Sequence, residues 1–197
     1  DVGHMLPVVA VYAGVEQVDD GALAVLGGKL YAGGDFAIAG GMTANRIACW
    51  DPVTSTWSAL GSGMGGTSPN VYALTVLHGK LYAGGSFTTA GGVAANYIAR
   101  WNGTTWSAFG AGLGNRGRAL LFDSTAGELV VGGHFSYAGG APSSGIARIA
   151  TTCPATSTPS GLGCPSSGGS NTLTATSLPW VDATFRATGT GLPTTAL

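Results

Sequence analysis

Between residues 71 and 110 the chain alternates short apolar runs with turn residues. Val71-Tyr72-Ala73-Leu74-Thr75-Val76-Leu77 is rich in β-branched and aromatic side chains and predicts a strand. His78-Gly79 is a two-residue turn that suits a tight hairpin. Residues 80–87 predict the second strand. Gly84-Gly85 inside it has no side chain to pack, so it marks a bulge or a close backbone approach. Residues 88–96 read as a loop, 97–102 as a third strand, Gly103-Thr104-Thr105 as a turn and 106–110 as a fourth strand. No segment sustains a helical period.

The same pattern recurs. Gly28-Lys29-Leu30-Tyr31-Ala32-Gly33-Gly34-Asp35-Phe36 returns 51 residues later as Gly79-Lys80-Leu81-Tyr82-Ala83-Gly84-Gly85-Ser86-Phe87. It returns again after a further 48 as Gly127-Glu128-Leu129-Val130-Val131-Gly132-Gly133-His134-Phe135. Each copy is followed by Ala-Gly-Gly (39–41, 90–92, 138–140) and then by an apolar run: Ile47-Ala48-Cys49-Trp50, Ile98-Ala99-Arg100-Trp101, Ile146-Ala147-Arg148-Ile149. Trp57-Ser58-Ala59 and Trp106-Ser107-Ala108 close the first two copies. Four short strands repeated about every 50 residues are the signature of a β-propeller blade. The predicted fold is therefore all-β, a propeller-like array of three four-stranded blades with a short β/coil C-terminal extension.

The run Lys-Leu-Tyr-Ala-Gly-Gly-Ser-Phe, Ala-Gly-Gly, Ile-Ala-Arg-Trp and Trp-Ser-Ala resembles the kelch-like propeller repeats of secreted bacterial proteins. The resemblance covers residues 8–150. It implies a propeller fold and extracellular binding or adhesion. It implies no particular enzyme, since fold alone does not fix function.

Residues 1–150 divide into an orphan strand at 8–15 and repeats over about 21–70, 71–117 and 118–150. The third copy stops after Ile149-Ala150 without its fourth strand. Residues 8–15 lie where a preceding fourth strand would lie, with Ala10-Val11 standing as Ala59-Leu60 and Gly14-Val15 as Gly63-Met64. Three blades are fewer than the usual four to eight. The chain is then part of a longer propeller, or is completed by other copies through edge-strand exchange into a ring or filament, or is a compact three-bladed unit. Pairing of residues 8–15 with the third sheet of the same or a neighbouring chain would remove an exposed sheet edge.

Residues 151–197 change character. Ser and Thr supply 18 of these 47 residues, and five of the nine prolines fall here. The segment reads as a Ser/Thr/Pro-rich linker and a partial β module, with Thr172-Leu173-Thr174-Ala175-Thr176 as a strand. Cys153 and Cys164, eleven apart, read as a local disulfide that staples a segment with little core of its own. Cys49, inside an apolar strand pattern, reads as a buried small hydrophobe. The cysteine pair with Leu178-Pro179-Trp180, Phe185-Arg186 and Gly191-Leu192-Pro193 resembles the start of a C-terminal β module of secreted bacterial proteins. The absence of an initial Met fits a removed signal peptide or a fragment, and the expected location is secreted or cell-surface.

Charge narrows the function. Only 9% of the residues are charged and the net charge is −1, which argues against nucleic acid and polybasic membrane partners. No run of eighteen apolar residues supports membrane insertion. Neither a phosphate-binding glycine loop nor a nucleophile elbow occurs, and no Cys/His spacing suits a metal, so no catalytic residue, metal or cofactor is expected. Asp35, Ser86 and His134 occupy one repeat position just after the double glycine. They differ from copy to copy, which makes them candidates for a ligand site near one face. Trp50/Trp57 and Trp101/Trp106 sit at fixed repeat positions and read as core between blades. Asn102-Gly103-Thr104 matches an N-glycosylation site at an exposed hairpin turn. The expected function is a non-enzymatic extracellular structural or binding module, acting in adhesion or strand-mediated assembly. The alternative is a lectin or a propeller-fold carbohydrate-active enzyme that takes a surface glycan.

Overall fold

The computed structural model describes residues 21–150. The expected strand at 8–15, the Cys153–Cys164 disulfide and the module over 151–197 lie outside them. The described residues are all-β, with no helix.

The first sheet holds β1 (Ala22–Leu26), β2 (Lys29–Gly33), β5 (Ile47–Asp51) and β6 (Thr56–Ala59), antiparallel in the order β1-β2-β5-β6. A ribbon of β3 (Ile38–Ala39) and β4 (Met42–Thr43) interrupts it, and β7 (Met64–Gly65) follows. The second sheet repeats the plan with β8 (Val71–Leu77), β9 (Lys80–Gly85), the ribbon β10 (Thr89–Ala90) and β11 (Val93–Ala94), β12 (Ile98–Trp101) and β13 (Trp106–Ala108). The third has β14 (Gly117–Asp123), β15 (Glu128–Gly133), the ribbon β16 (Tyr137–Ala138) and β17 (Ala141–Pro142), and β18 (Ile146–Ala150). Its order is β14-β15-β18, without a fourth strand among the described residues.

One expectation is corrected. Residues 88–96 are not a plain loop, because β10 and β11 form a ribbon there, and the ribbons at 38–43 and 137–142 match it. Two-residue strands are too short to show alternation. Their pairing is also non-local: β7, from the end of the first repeat, adds to β10 as a third strand. Leu113 bridges Ala138 in the same way one repeat later.

The three first strands lie side by side, with β8 between β1 and β14. Register fixes how the sheets meet. Leu74 and Val76 stand opposite Ala83 and Leu81, and they pack on a cluster to which the first sheet contributes Tyr31, Ile47 and Cys49. Leu120 and Phe122 stand opposite Val131 and Leu129, and they pack on a cluster to which the second sheet contributes Leu77, Tyr82 and Ile98. Gly33 and Gly84 let the next sheet approach. A Cβ on Gly33 would lie 2.9 Å from Val71 Cβ, and one on Gly84 3.4 Å from Leu120 Cγ. The second glycine of the two later pairs serves another purpose, since a Cβ on Gly85 or Gly133 would strike the carbonyl of Asn70 or Arg116. The double glycine is thus a close-approach device on two sides, which agrees with the sequence expectation.

Candidate functional site

A cavity of about 290 Å³ lies where the loop entering β8 meets the first and third repeats. Its polar lining includes Asp35, Arg46, Ser68, Asn70, Tyr72 and Arg116. Asp35 follows β2 just after the double glycine. Arg46 sits one residue before β5 with φ 65°, a left-handed conformation costly for a residue with a Cβ. Tyr97 (φ 64°) and Gly145 (φ 81°) hold the same place in the next repeats. The backbone explains the constraint: Gly34 N–H donates to the Arg46 carbonyl and Arg46 N–H to the Phe36 carbonyl. The side chain is held as tightly. Its Nε donates to the Pro69 carbonyl at 2.8 Å and lies 3.3 Å from Asp35 Oδ1. The Asn70 Oδ1 atom is buried and accepts no hydrogen bond among the described residues. Arg118 stacks over the Tyr72 ring at 4.9 Å.

Of the three sequence candidates, Asp35 alone lines this cavity. Ser86 stands one step behind it, its hydroxyl donating to the Ser68 carbonyl at 2.7 Å. His134 is exposed, and its backbone N–H donates to the Arg116 carbonyl at 3.0 Å. The three share a repeat position and one end of the array, but they do not converge. Sequence reasoning missed Arg46, Asn70, Tyr72 and Arg116. They vary between copies, and their grouping depends on how successive repeats stack.

All four carboxylates among the described residues are ion-paired. Asp35 meets Arg46, Asp51 meets Lys29 at 3.0 Å, and Arg148 bridges Asp123 (2.9 Å) and Glu128 (3.0 Å). The Lys29 ammonium beside Asp51 holds its carboxyl below the usual range, and the Lys29 pKa rises in return. Hydrogen bonds from Thr125 and Ala126 do the same for Asp123. At the first sheet junction, burial raises the Tyr31 hydroxyl to about 12, with the adjacent Cys49 thiol adding to the effect. Burial also raises the Cys49 thiol. Cys49 is buried, as its strand pattern predicts, and is a free thiol. Arg100 and Arg148, which align with it, stand opposite Tyr82 across the sheet and pair with Asp123 and Glu128, respectively.

Trp57, Trp101 and Trp106 are buried. The pairs Trp50/Trp57 and Trp101/Trp106 are tilted rings with centroids 5.5 and 5.3 Å apart. Asn102 is exposed and caps its turn: Oδ1 accepts from Thr104 and Thr105 N–H, while Nδ2 donates to Thr105 Oγ1.

Repeated antiparallel sheets stacked through equivalent faces define a propeller-type repeat domain. A family model described as "Domain of unknown function (DUF5122) beta-propeller" matches residues 79–103 and 127–152. The matched stretches are one unit seen twice, from the hairpin glycine through the ribbon to the third strand. No curated protein matches the chain.

Proposed function

We propose that this chain is a kelch-like structural or binding module that works outside the cell by surface contact and self-assembly, without covalent chemistry. The observation that carries the reading is the state of the two end faces. Leu23 and Val25 hold the register places of Leu74 and Val76, yet they are 53% and 66% exposed. On the opposite end, Leu121 holds the place of Thr75 and is 64% exposed, and Ile146 is exposed on the same face of that sheet. Each end therefore presents the half of a sheet-to-sheet interface that its internal counterparts bury. A second copy fits head to tail, its third sheet on the first sheet of its neighbour.

Magnitudes decide what such an assembly needs. Fully burying a Leu or Val gains about 1.5–3 kcal/mol, so covering the exposed parts of Leu23, Val25 and Leu121 gains about 4 kcal/mol. Association costs at least about that much in lost freedom. Side-chain burial alone would therefore give no stable complex. The edge of β18, which carries no fourth strand among the described residues, supplies the remainder. β5 and β12 are each flanked by a fourth strand, and residues 8–11 of a neighbour provide one for β18.

Light scattering over a wide dilution range tests the reading. The chain should form rings or filaments, and Val25→Asp or Leu121→Asp should each block growth from one end. Mixing the two variants should give pairs and nothing larger. A monomer at all concentrations, or growth indifferent to both substitutions, refutes it.

The cavity favours the second reading, a lectin. An arginine fork, a tyrosine and an uncommitted carboxamide suit a hydroxyl-rich ligand such as a surface glycan. Glycan-array binding by a strict monomer, lost in Arg116→Ala, would support that reading over assembly. A modified Asn102 would fit the secreted setting, and mass measurement of the chain from its native source checks it.

A further inference from the structure

Trp106 is 5% exposed, and its indole N–H donates to the Leu60 carbonyl of the preceding repeat at 3.0 Å. Trp57 occupies the same position one repeat earlier. It pairs with Trp50 across β5 and β6 as Trp106 pairs with Trp101, and a Cβ on Gly40 would press its ring as one on Gly91 would press Trp106. Its Nε1 is likewise buried, yet it has no hydrogen-bond partner among the described residues. A buried indole N–H without an acceptor is rare and costly.

The surrounding contacts define the missing acceptor. The cluster of Phe87, Ala90, Ala95 and Trp106 is completed by Leu60 and Met64 from the preceding repeat. Phe135 and Ala138 are completed by Phe109 and Leu113. Phe36, Ala39, Ala44 and Trp57 form the same cluster, with no counterpart of Leu60 and Met64 among the described residues. The ribbons agree. Gly91 N–H donates to the Gly63 carbonyl and Gly139 N–H to the Gly112 carbonyl, both at 2.8 Å, whereas β3 pairs with β4 alone among the described residues.

We infer that residues 11–15 of this same chain fill the place: the Val11 carbonyl accepts the Trp57 indole N–H, and Gly14-Val15 adds to β3 as a third strand. Val11, Gly14 and Val15 correspond to Leu60, Gly63 and Met64, and to Phe109, Gly112 and Leu113. The glycine is required. Gly63 and Gly112 both have φ 76°, a left-handed conformation that a β-branched residue resists. Tyr12 departs from the pattern, standing where Gly61 and Gly110 turn left-handed, a conformation Tyr97 already adopts. The tether selects the chain's own segment over another copy's. Val15 precedes Ala22 by seven residues, Met64 precedes Ala73 by nine and Leu113 precedes Ala119 by six. This inference needs no second copy and stands or falls apart from the assembly reading.

Indole N–H exchange of the nitrogen-15-labelled full chain tests it, with Trp57 assigned through Trp57→Phe. In the full chain, Trp57 and Trp106 should both exchange slowly, at a rate independent of protein concentration. Deleting residues 1–15 should speed Trp57 exchange about tenfold or more and leave Trp106 unchanged. If the truncated chain loses Trp106 protection too, Gly14→Val in the full chain decides, because it should produce the same selective loss. Trp57 protection that survives Gly14→Val or the deletion overturns the inference. So does protection that rises with concentration, which would place another copy's segment on the site.

Discussion

The first glycine of each pair offers a graded test of how the sheets stack. Gly33, Gly84 and Gly132 occupy one repeat position, and none has a left-handed φ, so alanine meets no backbone penalty there. What differs is the neighbour. At position 33 a Cβ would lie 2.9 Å from Val71 Cβ, closer still to its Cγ1, and 3.4 Å from Leu74 Cδ1. Val71 is fully buried, so neither side can yield without shifting a sheet. Overpacking of this kind costs about 1–3 kcal/mol. At position 84 the nearest atoms are 3.4–3.5 Å away, an ordinary contact. Replacing a strand glycine relieves about 0.5–1 kcal/mol of chain entropy, so Gly84→Ala should come out near neutral. At position 132 the nearest atom is Ala119 Cβ at 3.7 Å, and Gly132→Ala should be neutral or stabilising by that same amount. Urea unfolding of the dissociated chain gives the three midpoints, and unchanged m-values keep them comparable. The order of stability should be 33 below 84 and 84 at or below 132. Equal damage at 33 and 132 would mean that position 132 is already covered, and the open-ended array would be wrong. The assembly reading adds a second expectation: Gly132→Ala, silent in the isolated chain, should weaken association, because that position then faces a neighbour as Gly33 faces Val71.

Trp106→Phe should cost about 0.5–1.5 kcal/mol by removing the indole N–H bond and leaving the Leu60 carbonyl only the Gly63 N–H at 3.2 Å, as measured by urea midpoint; an unchanged midpoint would remove the tryptophan from the inter-repeat contact. Alkali should weaken the fold. The Tyr31 pKa is raised to about 12 by burial, so its contribution is complete below the unfolded value of about 10 and is lost as pH rises through 12. The buried Cys49 thiol acts in the same direction from a lower pH. Tyr31→Phe should flatten the upper part of that slope, and a midpoint constant from neutral pH to 12 would contradict the burial argument. Acid works with the opposite sign. Asp51 and Asp123 have lowered values, so their contributions are present above about pH 4 and lost as pH falls through the folded pKa. Asp51→Asn should reduce the acid slope of the unfolding midpoint, and an identical slope would remove the Lys29 pair from the account.

Much of the fold could be read from the chain because the repeat is written in positions that touch a neighbouring sheet. The strand predicted at 71–77 is β8 residue for residue, and those predicted at 80–87, 97–102 and 106–110 are β9, β12 and β13 with one or two end residues removed. The ribbons were not legible, because their third strand comes from the preceding repeat and no local pattern records that partner. Asp35 could be found at the cavity because it occupies a repeat position that varies. Arg46 could not, since nothing in Asn45-Arg46-Ile47 announces a left-handed arginine. Tyr97 in the second copy and Gly145 in the third show that the backbone bend, rather than any side chain, is what the repeat preserves.

That contrast separates two parts of the molecule. Where the copies agree, at the double glycine, the Phe that follows it and the Ala-Gly-Gly of the ribbon, the residues set the distance between sheets or the turn of a ribbon. Their cost of change is a packing cost. Where the copies differ, at 35/86/134, 46/97/145 and in the loops bearing Asn70 and Arg116, the residues lie at one end of the array, and Asp35, Arg46 and Arg116 among them carry the described cavity's charges. Each repeat spends its invariant residues on stacking and leaves chemical variety to the loops at that end. Substitutions among the first group should therefore appear as lost stability or altered assembly. Substitutions at Asp35, Arg46 or Arg116 should change what the surface contacts while the sheets stay in place.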